Sequence, residues 1–404
     1  MHRSILILFV LFVWLEGRVA QQDDGAFRDL APPGLFVGSV FHGYSPTWQE
    51  PDYQTLALRE FNFMTSSIYL PTVWQDPSQE INVQPFAQVC SFLRENNILV
   101  HGHALLYPAI ATIADWWNEQ SLDNVENRMY QYMTAVVTAG RGLVETWDVV
   151  NEVMGDDNND MDEDGVRRSL FNGKPIKEYQ AMGQDYVKKA FQFARQADSN
   201  ARLLLTDYGI EEDDPENENQ KSDRLYRFVS KLLAEGVTID GIGFQMHVGS
   251  QDGNPDYLAI ARNFERFRKL GLLIYITEMD VASYETSIRY NVTRPPELDR
   301  ASRFQGRVYR RVLEICLVEP ACQGFRFWDY AGKSQAGLRR LPMFFASSEL
   351  RNFRQNTILE YQIFDTHGFI PLLTMKVAWE YIPTQVPFGI SIPTTSRRSE
   401  VGYK

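Results

Sequence analysis

Trp147-Asp148-Val149-Val150-Asn151-Glu152 follows Gly142-Leu143-Val144-Glu145-Thr146, and the β-branched and aromatic residues of this run predict a short buried strand. A buried strand seldom finishes on Asn-Glu. A carboxylate beside an amide at the end of a parallel strand is how a β/α barrel presents reactive groups at its C-terminal rim, which makes Glu152 a catalytic candidate. Read alone, the same acid also fits a helix N-cap or a turn.

A second stretch changes the balance. Leu272-Leu273-Ile274-Tyr275-Ile276-Thr277 is a continuous apolar run that leads into Glu278-Met279-Asp280. Two strands thus end in glutamate. Glycoside hydrolysis needs two carboxyl groups facing one linkage, one to protonate the leaving oxygen and one to attack or to activate water. Strand patterns also occur near residues 35–41, 61–67, 98–107, 202–208, 241–247 and 324–330, with helical spacing between them, for example over 127–138 and 223–234. Strands alternating with helices predict an α/β fold, a (β/α)8 TIM barrel forming a single catalytic domain.

In these motifs the chain resembles glycoside hydrolase family 10, the family of many endo-1,4-β-xylanases, over roughly residues 34 to 381. WDVVNE looks like the family's acid/base motif and Ile276-Thr277-Glu278-Met279-Asp280 like its nucleophile motif. Gly102-His103 in the third strand, Thr206-Asp207-Tyr208 in the fifth, Asp240-Gly241-Ile242-Gly243-Phe244-Gln245-Met246-His247 in the sixth and Trp328 in the eighth extend the match. The resemblance implies double displacement: Glu278 attacks the anomeric carbon while Glu152 protonates the leaving oxygen, without metal or organic cofactor. It implies that His103 contacts the reacting sugar and that His247 hydrogen-bonds Glu278, where a donor holds the carboxylate ionised and oriented. Gln245 and His247, with one residue between them, share a strand face. Asn151 is expected to donate to the sugar 2-hydroxyl, and Tyr208 and Trp328 complete the candidate substrate-binding set. Cys316 and Cys322 match a pair seen in the family and are expected to be bridged, leaving Cys90 as a buried thiol in the helix after the second strand.

The departures from the family surround the reacting sugar. After the second strand the family presents a Glu-Asn pair and then a Lys, whereas this chain reads Thr65-Ser66-Ser67-Ile68-Tyr69-Leu70-Pro71. A Trp-His pair after the third strand is replaced by Tyr107-Pro108, and the Asn before Asp207 by Thr206.

The remaining features place the protein outside the cytoplasm. His2-Arg3, an apolar run over residues 5–15 and small Ala20 read as a secretory signal peptide of residues 1–20, too short to span a bilayer. Residues 21–382 would form the barrel, and 383–404, rich in Pro, Ser, Thr and Arg, a disordered tail. A secreted monomer with no membrane attachment after signal removal is expected. The net charge of −12 argues against nucleic acid and is compatible with a neutral polysaccharide partner. Asn291-Val292-Thr293 is a glycosylation sequon. Asp160-Met161-Asp162-Glu163-Asp164-Gly165 starts like a calcium loop, but Phe171 stands where the bidentate Glu belongs, so a solvated loop is expected. The leading expectation is a secreted endo-1,4-β-xylanase. A retaining glycosidase for another β-linked glycan or glycoconjugate, and a catalytically weak glycan-binding protein, stand beside it.

Overall fold

The computed structural model describes residues 26–328 apart from 42, 44–45, 109–114, 218, 250–254 and 283–294. The expectations for residues 1–20, Asn291 and 383–404 lie outside the described residues.

Nine strands follow in chain order: β1 (Phe36–Phe41), β2 (Phe63–Ser67), β3 (Leu99–His103), β4 (Thr146–Asn151), β5 (Arg202–Asp207), β6 (Gly241–Phe244), β7 (His247–Gly249), β8 (Leu273–Ala282) and β9 (Cys322–Phe327). Neighbours pair in parallel from β6 back to β1 and on through β9 to β8, and a β6–β8 pairing closes the ring. Strand β7 pairs Val248 with Val281 at the far end of β8, so it continues the line of β6 beyond Gln245 and Met246. The wall is therefore an eight-stave barrel, with β8 and β9 as the seventh and eighth staves.

Parallel strands need crossovers, and the helices that supply them bury one stripe each on the outside of the wall. Helix Leu122–Gly140 turns Val125, Met129, Tyr132, Met133, Val136 and Val137 inward, a spacing of three and four. Inside the wall, Phe63, Leu204 and Tyr275 form a separate apolar plug near the strand starts. Above that plug the inward positions become polar. Among the described residues, no helix is long and apolar enough to cross a membrane.

Cys316, in the helix Pro295–Val318, is bonded to Cys322 at the start of β9. Cys90 is free and buried in helix Gln84–Glu95, and burial pushes its thiol up to about 12.

Strand β4 carries the step from fold to site. Thr146 and Asp148 point into the barrel, where both meet His101 of β3, while Trp147 points out against Phe86 with ring centroids 5.7 Å apart. The outward indole lies so close to β3 that a Cβ on Gly102 would sit 2.2 Å from it, so only glycine fits there. The β4–β5 register then shifts between Asp148 and Val150. With one extra residue absorbed, Val149 and Val150 both join the outer core and Asn151 turns inward instead of outward.

Candidate active site

Glu152 sits immediately past β4 with a left-handed backbone, φ 60°, and its amide donates to Thr206 O at 2.8 Å. Such a conformation is uncommon for a residue with a Cβ and requires surrounding contacts to hold it. Arg167 provides them: it donates to Glu152 O at 3.3 Å and Met154 O at 2.9 Å, and it pairs with Asp156 and Asp160. Glu152 is 6% exposed, and its carboxyl is unevenly bonded. Its Oε1 accepts from Tyr107 Oη at 2.5 Å, Gln245 Nε2 at 3.1 Å and Asn151 Nδ2 at 3.5 Å. Its Oε2 has no hydrogen-bond partner among the described residues. Burial pushes its pKa up to about 7, with Asp207 and Glu278 adding to the rise and the Tyr107 and Gln245 hydrogen bonds opposing it.

Glu278 lies in β8 on the other side of the same opening, 3% exposed. His247 Nε2 stands 3.3 Å from its Oε2, and His103 Nδ1 3.7 Å from its Oε1. His247 is in turn fixed by Asp280, 3.0 Å from Nδ1. Trp328 completes this side, its ring meeting His103 at 5.4 Å and His247 at 6.1 Å.

Below the glutamates is a polar floor absent from the sequence reading. Asp148 is fully buried, and its Oδ2 lies 2.7 Å from His101 Nε2 and 2.8 Å from His103 Nδ1, while Thr206 donates to its Oδ1. Burial opposes the Asp148 charge, but the two imidazoles outweigh it and hold the carboxyl well below its usual range. His101 goes the other way: burial and the neighbouring Arg326 cation push it down to about 4. For His103, burial disfavours the cation, yet Glu278 and Asp148 raise its pKa. Strand parity was the available signal for His101, which lies two residues before His103.

Tyr208 and Asn151 are held by protein partners. Tyr208 donates to Asp156 at 2.6 Å and accepts from Arg167 at 3.2 Å, and the Lys221 ammonium sits 3.4 Å from its ring centre. It belongs to the network behind Glu152, with no contact to either glutamate among the described residues. Asn151 spends its carbonyl on Gln245 at 3.2 Å, leaving its amide near Glu152. The acidic loop is more ordered than a solvated one: Asp160 serves Arg167 and Ser169, and Asp162 accepts from Val166 N and Tyr179.

A small cavity of about 30 Å³ adjoins the site, lined by Tyr69, Pro71, Tyr107, Trp117 and Glu178 among others. Glu178 is 2% exposed, its Oε2 lacks a partner among the described residues, and burial pushes its pKa from 4.5 to about 7. A carboxyl whose folded pKa is raised binds its proton more tightly in the folded state. Its contribution is then fully present below pH 4.5 and is lost as pH rises through about 7. Glu178→Gln, which mimics the neutral acid, is expected to be more stable than the parent above pH 7 by on the order of 3 kcal/mol and equal to it near pH 4. Urea unfolding at both pH values measures the difference, and a constant gap would refute the assignment.

Residues 31–339 match the family described as glycosyl hydrolase family 10. Over 295 residues the chain is 35% identical to endo-1,4-beta-xylanase B of Thermotoga neapolitana, covering 71% of this chain and 75% of that protein. It is 28% identical over 281 residues to a beta-1,4-xylanase of Dictyoglomus thermophilum, covering 69% and 74%. The solved xylanase 10B of Thermotoga petrophila RKU-1, in complex with xylobiose, superposes with a TM-score of 0.71 at 27% identity, covering 89% of this chain and 98% of that one. A match of this extent, on a barrel that brings Glu152 and Glu278 to one rim, makes the chain a glycoside hydrolase and a member of glycosyl hydrolase family 10.

Proposed function

We propose that this glycoside hydrolase is secreted and cuts internal linkages of β-1,4-xylan by double displacement, with retention at the anomeric carbon. The observation that carries the reading is the unequal treatment of two glutamates at one opening. Glu152, with its pKa pushed up to about 7, keeps a proton to give in mildly acid and neutral solution. Glu278 faces His247 and His103 across the opening, which supports its role as the attacking group. In the first step Glu278 forms a bond to the anomeric carbon as the glycosidic bond breaks and Glu152 transfers its proton to the departing oxygen. In the second, water attacks that carbon, Glu152 takes its proton and Glu278 leaves.

Xylan as substrate is supported by the relatives, named as xylanases and in one case as an endo-1,4-beta-xylanase, and by the xylobiose bound to the solved xylanase 10B. Secretion is supported by the apolar N-terminal run and by a Cys316–Cys322 bond suited to an oxidising compartment. A panel of xylan, mixed-linkage glucan, mannan and chitin oligosaccharides, followed by product length and by the first anomer formed, tests the reading. Short xylo-oligosaccharides appearing first as the β-anomer are expected. The α-anomer first, or xylose as sole product, would overturn the mechanism or the endo action respectively.

One observation favours the second reading, a different β-linked glycan. His103 is flanked by Tyr69, ring centroids 6.0 Å apart, in the stretch where the family presents Glu-Asn and Lys, and by Tyr107 at 6.5 Å, where it presents Trp-His. Ile68 donates its backbone N–H to His103 O at 2.6 Å, but its buried hydrocarbon side chain has no polar atom to offer a sugar. Cleavage of another glycan in the panel with xylan left intact would select this reading.

A further inference from the structure

In sequence Tyr107 is a departure from the family pattern, but its placement is specific. After β3 the chain keeps to the flank of β4: Leu105 N donates to Asp148 O at 2.9 Å, Leu106 N to Val149 O at 3.1 Å, and Asn151 N to Leu106 O at 2.8 Å. Pro108 restricts the backbone of the residue before it to extended conformations. Together these aim the phenol at the carboxyl one residue beyond Asn151, where the 2.5 Å contact to Glu152 Oε1 is formed.

That contact bears on which oxygen of Glu152 does the chemistry. Gln245 Nε2 and Asn151 Nδ2 bring only hydrogens to Oε1. An oxygen already accepting from a phenol and an amide has no room for a proton of its own. We propose that Tyr107 is a positioning residue that confines the transferable proton of Glu152 to Oε2. This rests on Glu152 being the acid of the reaction proposed above.

The consequence runs through both chemical steps. Oε2–H gives its proton to the leaving oxygen as the C–O bond breaks, and the negative charge left on the carboxyl is met at Oε1 by the Tyr107 hydroxyl. A hydrogen bond to a charged acceptor is stronger than one to a neutral acid, so the bond tightens as the proton departs. Water later returns a proton to the same Oε2. The other charged or titratable groups facing this carboxyl are Glu278 from β8, Asp207 from β5 and His103 from β3, and Tyr107 itself also faces Tyr69. Burial and the Glu152 charge both keep the Tyr107 phenol protonated far above its ordinary range, so it remains a donor.

The test reads Glu152 directly, by carbon NMR titration of glutamate labelled at its side-chain carboxyl, with Glu152→Gln used to assign the signal. In Tyr107→Phe the Glu152 midpoint should rise by about one pH unit, a tenfold change in the proton equilibrium. The basic limb of kcat/KM should move up with it, and kcat should fall by about tenfold with little change in KM. Replacing Tyr107 by 3-fluorotyrosine, a stronger donor that preserves packing, should move the midpoint down, and it decides the matter if the Phe variant does not fold. An unchanged midpoint in either variant, or one moved the opposite way, overturns the proposal. Because the midpoint is read without substrate, a protein that cuts no xylan would sink the functional reading while the role of Tyr107 is still decided.

Discussion

Glu278→Gln is expected to abolish turnover while leaving the barrel folded. Glutamine fills the same volume beside His247 and His103, so packing at this 3% exposed position is retained. The amide is neutral and cannot bond to the anomeric carbon, so the two-step route is lost. Rates should fall by about 10⁵-fold or more, roughly 7 kcal/mol of barrier. The parent should be labelled at Glu278 by a mechanism-based fluoroglycoside, seen as a mass increase on that peptide, and the variant should not. A variant with parental activity would remove Glu278 from the chemistry.

Glu152→Ala should separate substrates by their leaving groups. An acid matters most where the departing oxygen is a sugar alkoxide, so xylan hydrolysis should fall by about 10³ to 10⁴-fold. Aryl glycosides with acidic phenols leave with little protonation, and their kcat/KM should fall less than about tenfold. Azide, which attacks without a base, should restore turnover by entering the space left by the side chain. The pH profile gives a second readout. The parent must carry its proton on Glu152, so kcat/KM should decline as pH rises through about 7, and this limb should vanish in the variant. Equal losses on both substrate types, with the limb intact, would assign the acid elsewhere.

What sequence could reveal depended on how local the determinant is. Glu152 and Glu278 were legible because each closes an apolar run, and that pattern is contained within a few residues. The barrel was legible for the same reason, repeated stave by stave. Asp148 lies within the same motif, but its importance is hidden in sequence because it comes from His101 and His103 on a neighbouring strand. Tyr107 follows a strand by several residues, and only the pairing of residues 105–106 with β4 aims it. Glu178 is the acid of a helix first turn, and only the cavity packed around it marks it as buried. The loop at Asp160 resembles an ion site at its start, whereas its aspartates are occupied by Arg167, Ser169, Tyr179, Lys231 and backbone amides, the lysine 67 residues away along the chain.

The bulge in β4 gives the active site an unusual sensitivity to spacing. Because Val149 and Val150 both face outward, the orientation of Asn151 and Glu152 is written in the number of residues between Asp148 and Glu152 rather than in which ones they are. Another aliphatic residue at either valine alters packing by a methylene or two. Loss of one valine would instead rotate everything after it by half a pleat, sending Asn151 away from Gln245 and carrying Glu152 off its three donors. Along this strand, drift in side-chain identity and change in chain length are therefore tolerated very differently.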